Sequence, residues 1–248
     1  MKVTVIVPVL YREPQLAKTL GHLAEHSGTA DQEILVVVDV PDPAREWETR
    51  EENDSLAYAY GARVLYRVGQ RGFGSALRFA FAQGQGDAFV PFMGDESDRA
   101  EDIPRMVQEL ERGYDVIAGS RYMKGGSIVG VTTKQRMSRL YSFLVRLAGG
   151  PRIHDVSNAF KAYRRAVVER IRTEAESFDI SVELTVKAAL EGFWIGEIPT
   201  VWTNRELGSS NFRMRGEVAN YGRWLMLAAR GRRRLRSRAT VPAPGSRP

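Results

Sequence analysis

Residues able to do chemistry recur at short intervals through the chain. Met93-Gly94-Asp95-Glu96-Ser97-Asp98 places three acids in one turn. Such carboxylates are hard oxygen donors suited to Mg2+ or Mn2+, an ion that holds phosphates and offsets charge on a departing diphosphate. A solvated acidic turn ahead of a helix that opens with Glu101 and Asp102 is the other reading. Asp39 ends an apolar run and suits a ribose or base edge, or the capping of the next loop. Gly72-Phe73-Gly74-Ser75 permits close backbone approach, either to a ligand at a helix start or within a tight turn. Arg121, and Lys134 with Ser138 one helical turn later, are candidate anion ligands or surface groups. Arg205 precedes Gly208-Ser209-Ser210, a loop able to close over a ligand. His154 reads as structural, and His22 and His26 as one exposed helix face.

The elements that must position these residues follow from hydrophobic periodicity. Apolar, β-branched runs predict strands over 3–9, 33–39, 62–66, 87–93 and 114–121. Helical spacing predicts helices over 14–25, 53–61, 75–83 and 103–113 between them. Strand alternating with helix implies βαβ units and a mainly parallel sheet with helices on both faces. Ligands of such sheets sit at the carboxyl ends of the strands. Asp39, Gly72, Gly74, Asp95 and Arg121 all fall at those ends. Further on, helices are expected over 134–148, 166–172, 182–191 and 217–230, a loop feeding a strand over 155–163, and a strand over 194–202.

Composition narrows the chemistry. The 248 residues include no Cys and three His. Disulfides, thiolate zinc sites and Cys nucleophiles are excluded, and little remains for a His-built metal site or triad. The net charge is +6, but residues 230–248 hold seven Arg and no acid, leaving residues 1–229 near −1. A near-neutral body with a cationic tail argues against a nucleic-acid partner, which needs a basic structured face. No secretory signal and no membrane-spanning run is read.

Five blocks in this order resemble a known family. They are Arg71-Gly72-Phe73-Gly74-Ser75-Ala76, Glu101-Asp102-Ile103-Pro104, the stretch from Ala118 to Gly126, the stretch from Asp155 to Arg165, and Glu197-Ile198-Pro199 with Arg205 and Gly208-Ser209-Ser210. From about Val3 to Asn211 the chain is similar to family 2 glycosyltransferases of the GT-A fold, in the dolichol-phosphate mannosyltransferase-like, polyprenyl-phosphate branch. The resemblance implies an α/β catalytic domain over residues 1–212; beyond it, periodicity and composition predict an amphipathic helix within 213–230 and a disordered Arg/Pro-rich tail over 231–248.

It also implies roles. Pro8, Val9, Tyr11, Glu13, Asp39, Gly72 and Gly94 would line the nucleotide. Asp95, with Ser97, would hold Mg2+ or Mn2+. Asp95 and Arg121 would be catalytic, and Arg121, Lys134, Ser138 and Arg205 would bind donor and acceptor phosphates. The implied reaction moves a sugar, with inversion, from a GDP- or UDP-sugar to a polyprenyl phosphate. A soluble glycan or small-molecule acceptor, and a degenerate nucleotide-sugar-binding protein, are the alternatives. Three positions depart from the family pattern. Met93 replaces the first metal-motif Asp, Tyr11-Arg12 replaces Asn-Glu with Glu13 one place later, and Val38-Asp39 replaces a paired Asp-Asp. Trp, Tyr and Leu ahead of clustered Arg suit an anionic membrane surface, so a cytoplasmic protein peripheral to the cytoplasmic face is expected.

Overall fold

The computed structural model describes residues 1–11, 13–26, 31–130, 133–204 and 214–236, with backbone alone at 48, 49, 133, 214–218 and 232–236. The elements run β1 (Val3–Leu10), α1 (Leu16–His26), β2 (Gln32–Val40), α2 (Trp47–Ala59), β3 (Arg63–Val68), α3 (Phe73–Gln83), β4 (Ala88–Pro91), α4 (Ile103–Glu111) and β5 (Val116–Ser120). They continue β6 (Ser127–Val129), α5 (Thr133–Ala148), β7 (Lys161–Arg164), α6 (Arg165–Arg170), α7 (Ile180–Glu191), β8 (Ile195–Pro199), β9 (Val201–Thr203) and α8 (Met214–Arg236).

Seven strands form one sheet in the order β3-β2-β1-β4-β7-β5-β8, and β6 pairs with β9 in a second. All neighbours in the large sheet are parallel except β7, which runs antiparallel to both β4 and β5. Alternate side chains of β1 face opposite layers. Val3, Val5, Val7 and Val9 meet Leu16, Leu20 and Leu23 of α1 and Ile103, Met106 and Leu110 of α4. Ile6 joins Leu35 and Val37 against Ala76, Leu77 and Ala80 of α3, Ile180 and Val186 of α7, and Trp224 and Ala228 of α8. Burial on both faces explains why β1 and β2 read as unbroken apolar runs.

Three expectations change. The strand expected over 194–202 is two strands in two sheets. Thr200 bends the chain between them: its N–H donates to the Ser120 carbonyl at 3.1 Å and its hydroxyl to Asp102 Oδ2 at 2.7 Å. The short helix expected over 53–61 is α2, which begins at Trp47. The last helix does not stop at Arg230 but continues to Arg236. Gly231 lets it pass close to α7, since a Cβ there would lie 2.0 Å from Leu190 Cδ2. Arg and Leu, which fill the following turn, favour the helix.

Candidate active site

Three groups of residues gather at the carboxyl ends of the strands. The first surrounds Asp39, near the end of β2. Gly72 N donates to Asp39 Oδ2 at 2.9 Å, and Arg67 Nη1 lies 3.0 Å from Oδ1. That ion pair has no hydrogen-bond angle, so buried Oδ1 keeps an unused lone pair. Burial raises the Asp39 pKa, against the Gly72 N–H and the charges of Arg67 and Arg71. Arg67 also donates to Ser75 Oγ at 2.7 Å and Gln70 Oε1 at 3.0 Å, tying the start of α3 to β3.

The glycine block packs against this chain's own backbone. Gly72, at φ +147°, and Gly74 leave room for backbone of this chain: an added Cβ would lie 2.8 Å from the Glu176 carbonyl oxygen at Gly72, and 2.1 Å from that of Ala175 at Gly74. Gly74 N donates to Glu176 O at 2.9 Å. The close approach is internal, and the Gly72 N–H is spent on Asp39.

The second group is the turn after β4. Asp95, Ser97 and Asp98 are buried. Asp95 Oδ1 accepts from Ser97 N at 3.2 Å, and Asp98 Oδ2 from Met93 N at 3.1 Å. Burial pushes Asp98 up to about 7; the Met93 N–H opposes this and the charge of Asp95 adds to it. Glu96 alone among the described non-glycine residues has positive φ, at 61°, and its carboxylate meets His22 Nδ1 at 2.7 Å. A cleft of about 240 Å3 opens here, lined by Gln15, Lys18, His22, Asp95, Glu96 and Asp98 among others. Buried carboxylates with oxygen donors alone suit a hard divalent cation. Among the described residues no three His, Cys, Asp or Glu side chains form a complete metal cage, so a bound diphosphate would have to complete one.

The third group is built on Arg121, just past β5. Its Nε donates to Asp155 Oδ2 at 2.6 Å and its Nη2 to Oδ1 at 3.0 Å. Nη2 also reaches Ser138 Oγ and Ser157 Oγ, each at 3.2 Å, and Ser138 accepts from Tyr122 OH at 2.8 Å. Burial lowers the Arg121 pKa, but Asp155 outweighs it and raises the value. Burial likewise raises that of Asp155, and Arg121 outweighs it downward. Lys161 Nζ is fully buried and donates to the carbonyls of Val156, at 2.9 Å, and Asn158. Burial brings Lys161 down to about 7, partly offset by Asp155.

The remaining candidates are scattered. Pro8 and Val9 lie in β1 opposite Val37 and Val38. Val9 packs into the α1–α4 layer, and its Cγ1 would lie 2.7 Å from a Cβ on Gly94, so its side chain belongs to the core. Tyr11 stands 5.0 Å beneath the Arg45 guanidinium. The Glu13 carbonyl accepts from Leu16 N at the start of α1. Lys134 is exposed at the start of α5, and Arg205 lies outside the described residues. Arg67, Asp155 and Lys161 have no role assigned from sequence. A charged residue inside a strand pattern, as at 67 and 161, was the available signal.

Residues 4–172 match the sequence profile of Glycosyl transferase family 2. The chain belongs to this family. Among curated relatives, the family 2 chain is 29% identical to the dolichol-phosphate mannosyltransferase of Pyrococcus furiosus, over 86% of its own length and 60% of that protein. The chain thus spans about three fifths of that relative. It is 32% identical to the undecaprenyl-phosphate mannosyltransferase of Micrococcus luteus, over 92% of this chain and 96% of that one. It is 30% identical to the polyprenol monophosphomannose synthase of Mycolicibacterium smegmatis, over 83% and 79%. Among solved structures, glucosyl-3-phosphoglycerate synthase of Mycobacterium tuberculosis, crystallised with Mn2+ and UDP, superposes with a TM-score of 0.64 at 17% identity, covering 98% of this chain and 82% of that one. At that identity the likeness concerns the fold, which is of the GT-A type.

Proposed function

We propose that this family 2 glycosyltransferase moves a sugar from a nucleoside-diphosphate donor to a polyprenyl phosphate with inversion. The likeness to relatives named for polyprenyl-phosphate mannosyl transfer, one covered over 96% of its length, carries the reading. The geometry supports it, because an aspartate, an acidic turn and an arginine–serine cluster share the ligand-binding edge of one sheet.

In this reading the unused Oδ1 of Asp39 accepts from the ribose or base of a GDP- or UDP-sugar. Asp95 with Ser97 would hold Mg2+ or Mn2+, which supplies Lewis-acid stabilisation of the departing diphosphate. Arg121, Ser138, Lys134 and Arg205 orient phosphates. The acceptor phosphate is already ionised at neutral pH, so no strong general base is needed. Its oxygen forms the bond to the anomeric carbon as the bond to the donor diphosphate breaks, and the diphosphate leaves with that electron pair. Positioning and charge complementarity then supply the rate. Such a protein works at the cytoplasmic face of a membrane. Among the described residues no helix is long and apolar enough to cross one. The Arg cluster of α8 and the residues beyond it would supply attraction to anionic lipid.

Purified protein incubated with radiolabelled GDP- and UDP-sugars, polyprenyl phosphate and Mn2+ should yield a lipid-linked sugar, and chelation should abolish it. Absence of product from every common donor sinks the reading.

A further inference from the structure

A second cleft, of about 470 Å3, lies between the later half of α3, α6 with the segment after it, and α7. It shares no residue with the cleft at Asp95. Its apolar walls are Phe81, Ala82, Val168, Ile171 and Leu184. Ile171 and Leu184 are buried, and Phe81 is fixed by edge-on contacts with the Phe89 and Tyr163 rings, at 5.4 and 6.4 Å between centroids. Arg78, Glu169 and Arg172 supply the charge. Arg78 is matched by Glu176, and Glu169 stands 3.6 Å from Arg165. Arg172 is exposed, and among the described residues no acid pairs with it, so the lining keeps a positive charge in excess. Small-molecule sites are clefts of about 300–1,000 Å3, mainly apolar with a few placed polar groups, and this one falls within that range.

We propose that the cleft binds an anionic amphiphile, an apolar chain ending in one carboxylate or phosphate, and that its occupant lowers affinity at the nucleotide site. The walls take the chain, and Arg172 with Arg78 takes the anion. A neutral chain would leave the Arg172 charge unmatched, and a small polar anion would gain nothing from the apolar walls. Arg78 makes the link to the strand ends. Its Nη1 donates to the Ala175 carbonyl at 2.5 Å, and its Nη2 to the Glu176 carboxylate. The Glu176 carbonyl in turn accepts from Gly74 N at 2.9 Å and crowds Gly72, whose N–H donates to Asp39. An anion that draws the Arg78 guanidinium toward the cleft takes donors away from residues 175 and 176, and the support of Gly72 and Asp39 loosens with them. The N–H groups of Glu174 and Ala175 stay on the buried Glu183 carboxylate, so the segment shifts without unfolding. The effect on affinity rests on the nucleotide reading of Asp39; the binding site does not.

Calorimetry with decanoate and with decyl phosphate, each kept below its micelle-forming concentration, tests the site, with decanol and inorganic phosphate as controls. Wild type should bind both amphiphiles, the tighter one naming the head group, and bind each control at least about tenfold more weakly. Ala82→Trp fills the cleft from an exposed position, and Arg172→Glu reverses the unmatched charge. Each should weaken amphiphile binding about tenfold or more while the thermal midpoint of the free protein holds. Saturating amphiphile should weaken UDP or GDP binding about fivefold or more, and nucleotide should weaken amphiphile binding by the same factor, as linkage requires. Decanol bound as tightly as decanoate, or amphiphile binding unaltered in both variants, overturns the site. Nucleotide affinity that does not move at saturation overturns the effector role. If neither nucleotide binds wild type at all, the nucleotide reading fails, and the amphiphile titrations still decide the cleft.

Discussion

Arg121 and Asp155 form a two-pronged ion pair, Nε to Oδ2 at 2.6 Å and Nη2 to Oδ1 at 3.0 Å, with the Asp155 side chain fully buried. Two prongs of the guanidinium are thus committed before any ligand arrives. The charge of Arg121, proposed above as a phosphate ligand, is already balanced, and the residue also clamps the 155–158 loop against the end of β5. Asn158 completes the clamp by donating to the Gly119 carbonyl at 2.8 Å.

Breaking this pair from one side should be costly. Asp155→Asn leaves a buried cation without its counter-charge, a loss of about 3 kcal/mol or more. Replacing both residues together, Arg121→Met with Asp155→Leu, should recover much of that stability while transfer activity stays lost. Urea unfolding of the three proteins beside a transfer assay checks this. A double variant as unstable as Asp155→Asn would show that the pair is not what the single substitution breaks.

The glycine block gives a stability prediction where its sequence reading allowed a ligand contact. Gly74→Ala drives a methyl group to 2.1 Å from the Ala175 carbonyl oxygen. Backbone must shift, at a cost of about 1–3 kcal/mol, and the start of α3 moves with it. The thermal midpoint should fall with or without nucleotide. A normal midpoint with a selective loss of nucleotide affinity would return Gly74 to the ligand.

Loss of the Asp39 carboxylate should affect both stability, because buried Arg67 would lose its counter-charge, and nucleotide affinity. Its Oδ2 is occupied by Gly72 N–H, but Oδ1 has a spare lone pair. Asp39→Ala should weaken UDP or GDP binding about tenfold or more, the worth of a charged hydrogen bond. Calorimetry reads this directly. Asp95→Ala should lower turnover about a hundredfold or more and weaken the Mn2+ dependence, since in the proposed reading its carboxylate would hold the cation that offsets charge on the departing diphosphate.

Legibility from sequence followed the physics of each element. The β1–β2 half of the sheet was readable because strands buried on both faces leave unbroken apolar runs, and because Asp39 and Asp95 stand where those runs end. β7 gave no such sign of direction: parallel or antiparallel placement is decided by the route of the chain between β5 and Lys161. The turn at Thr200 had one sign in the sequence, Pro199, which also fits within a single edge strand; the bend itself is held by Asp102 and Ser120 from distant segments. Arg67 and Asp155 have no role assigned from sequence for a similar reason. Their importance lies in partners 28 and 34 residues away, Asp39 and Arg121, which spacing cannot supply.

Lys161 offers a test by pH. Its ammonium is fully buried, and burial pulls its pKa down to about 7 while an unfolded lysine titrates near 10.4. Between those values the unfolded chain binds more protons at this site than the folded one, so stability from Lys161 rises with pH across roughly 7 to 10. Below pH 7 both states carry the proton, and the burial penalty is present in full. In Lys161→Met that titration vanishes, but the Val156 and Asn158 carbonyls lose their donor, at about 1–3 kcal/mol. The variant should therefore fall furthest behind wild type near pH 10 and approach it near pH 6. Denaturant unfolding of both proteins across that range measures the difference. A gap that widens as pH falls would mean that Lys161 is held charged by Asp155, and that the Arg121 cluster carries one more positive charge than its burial implies.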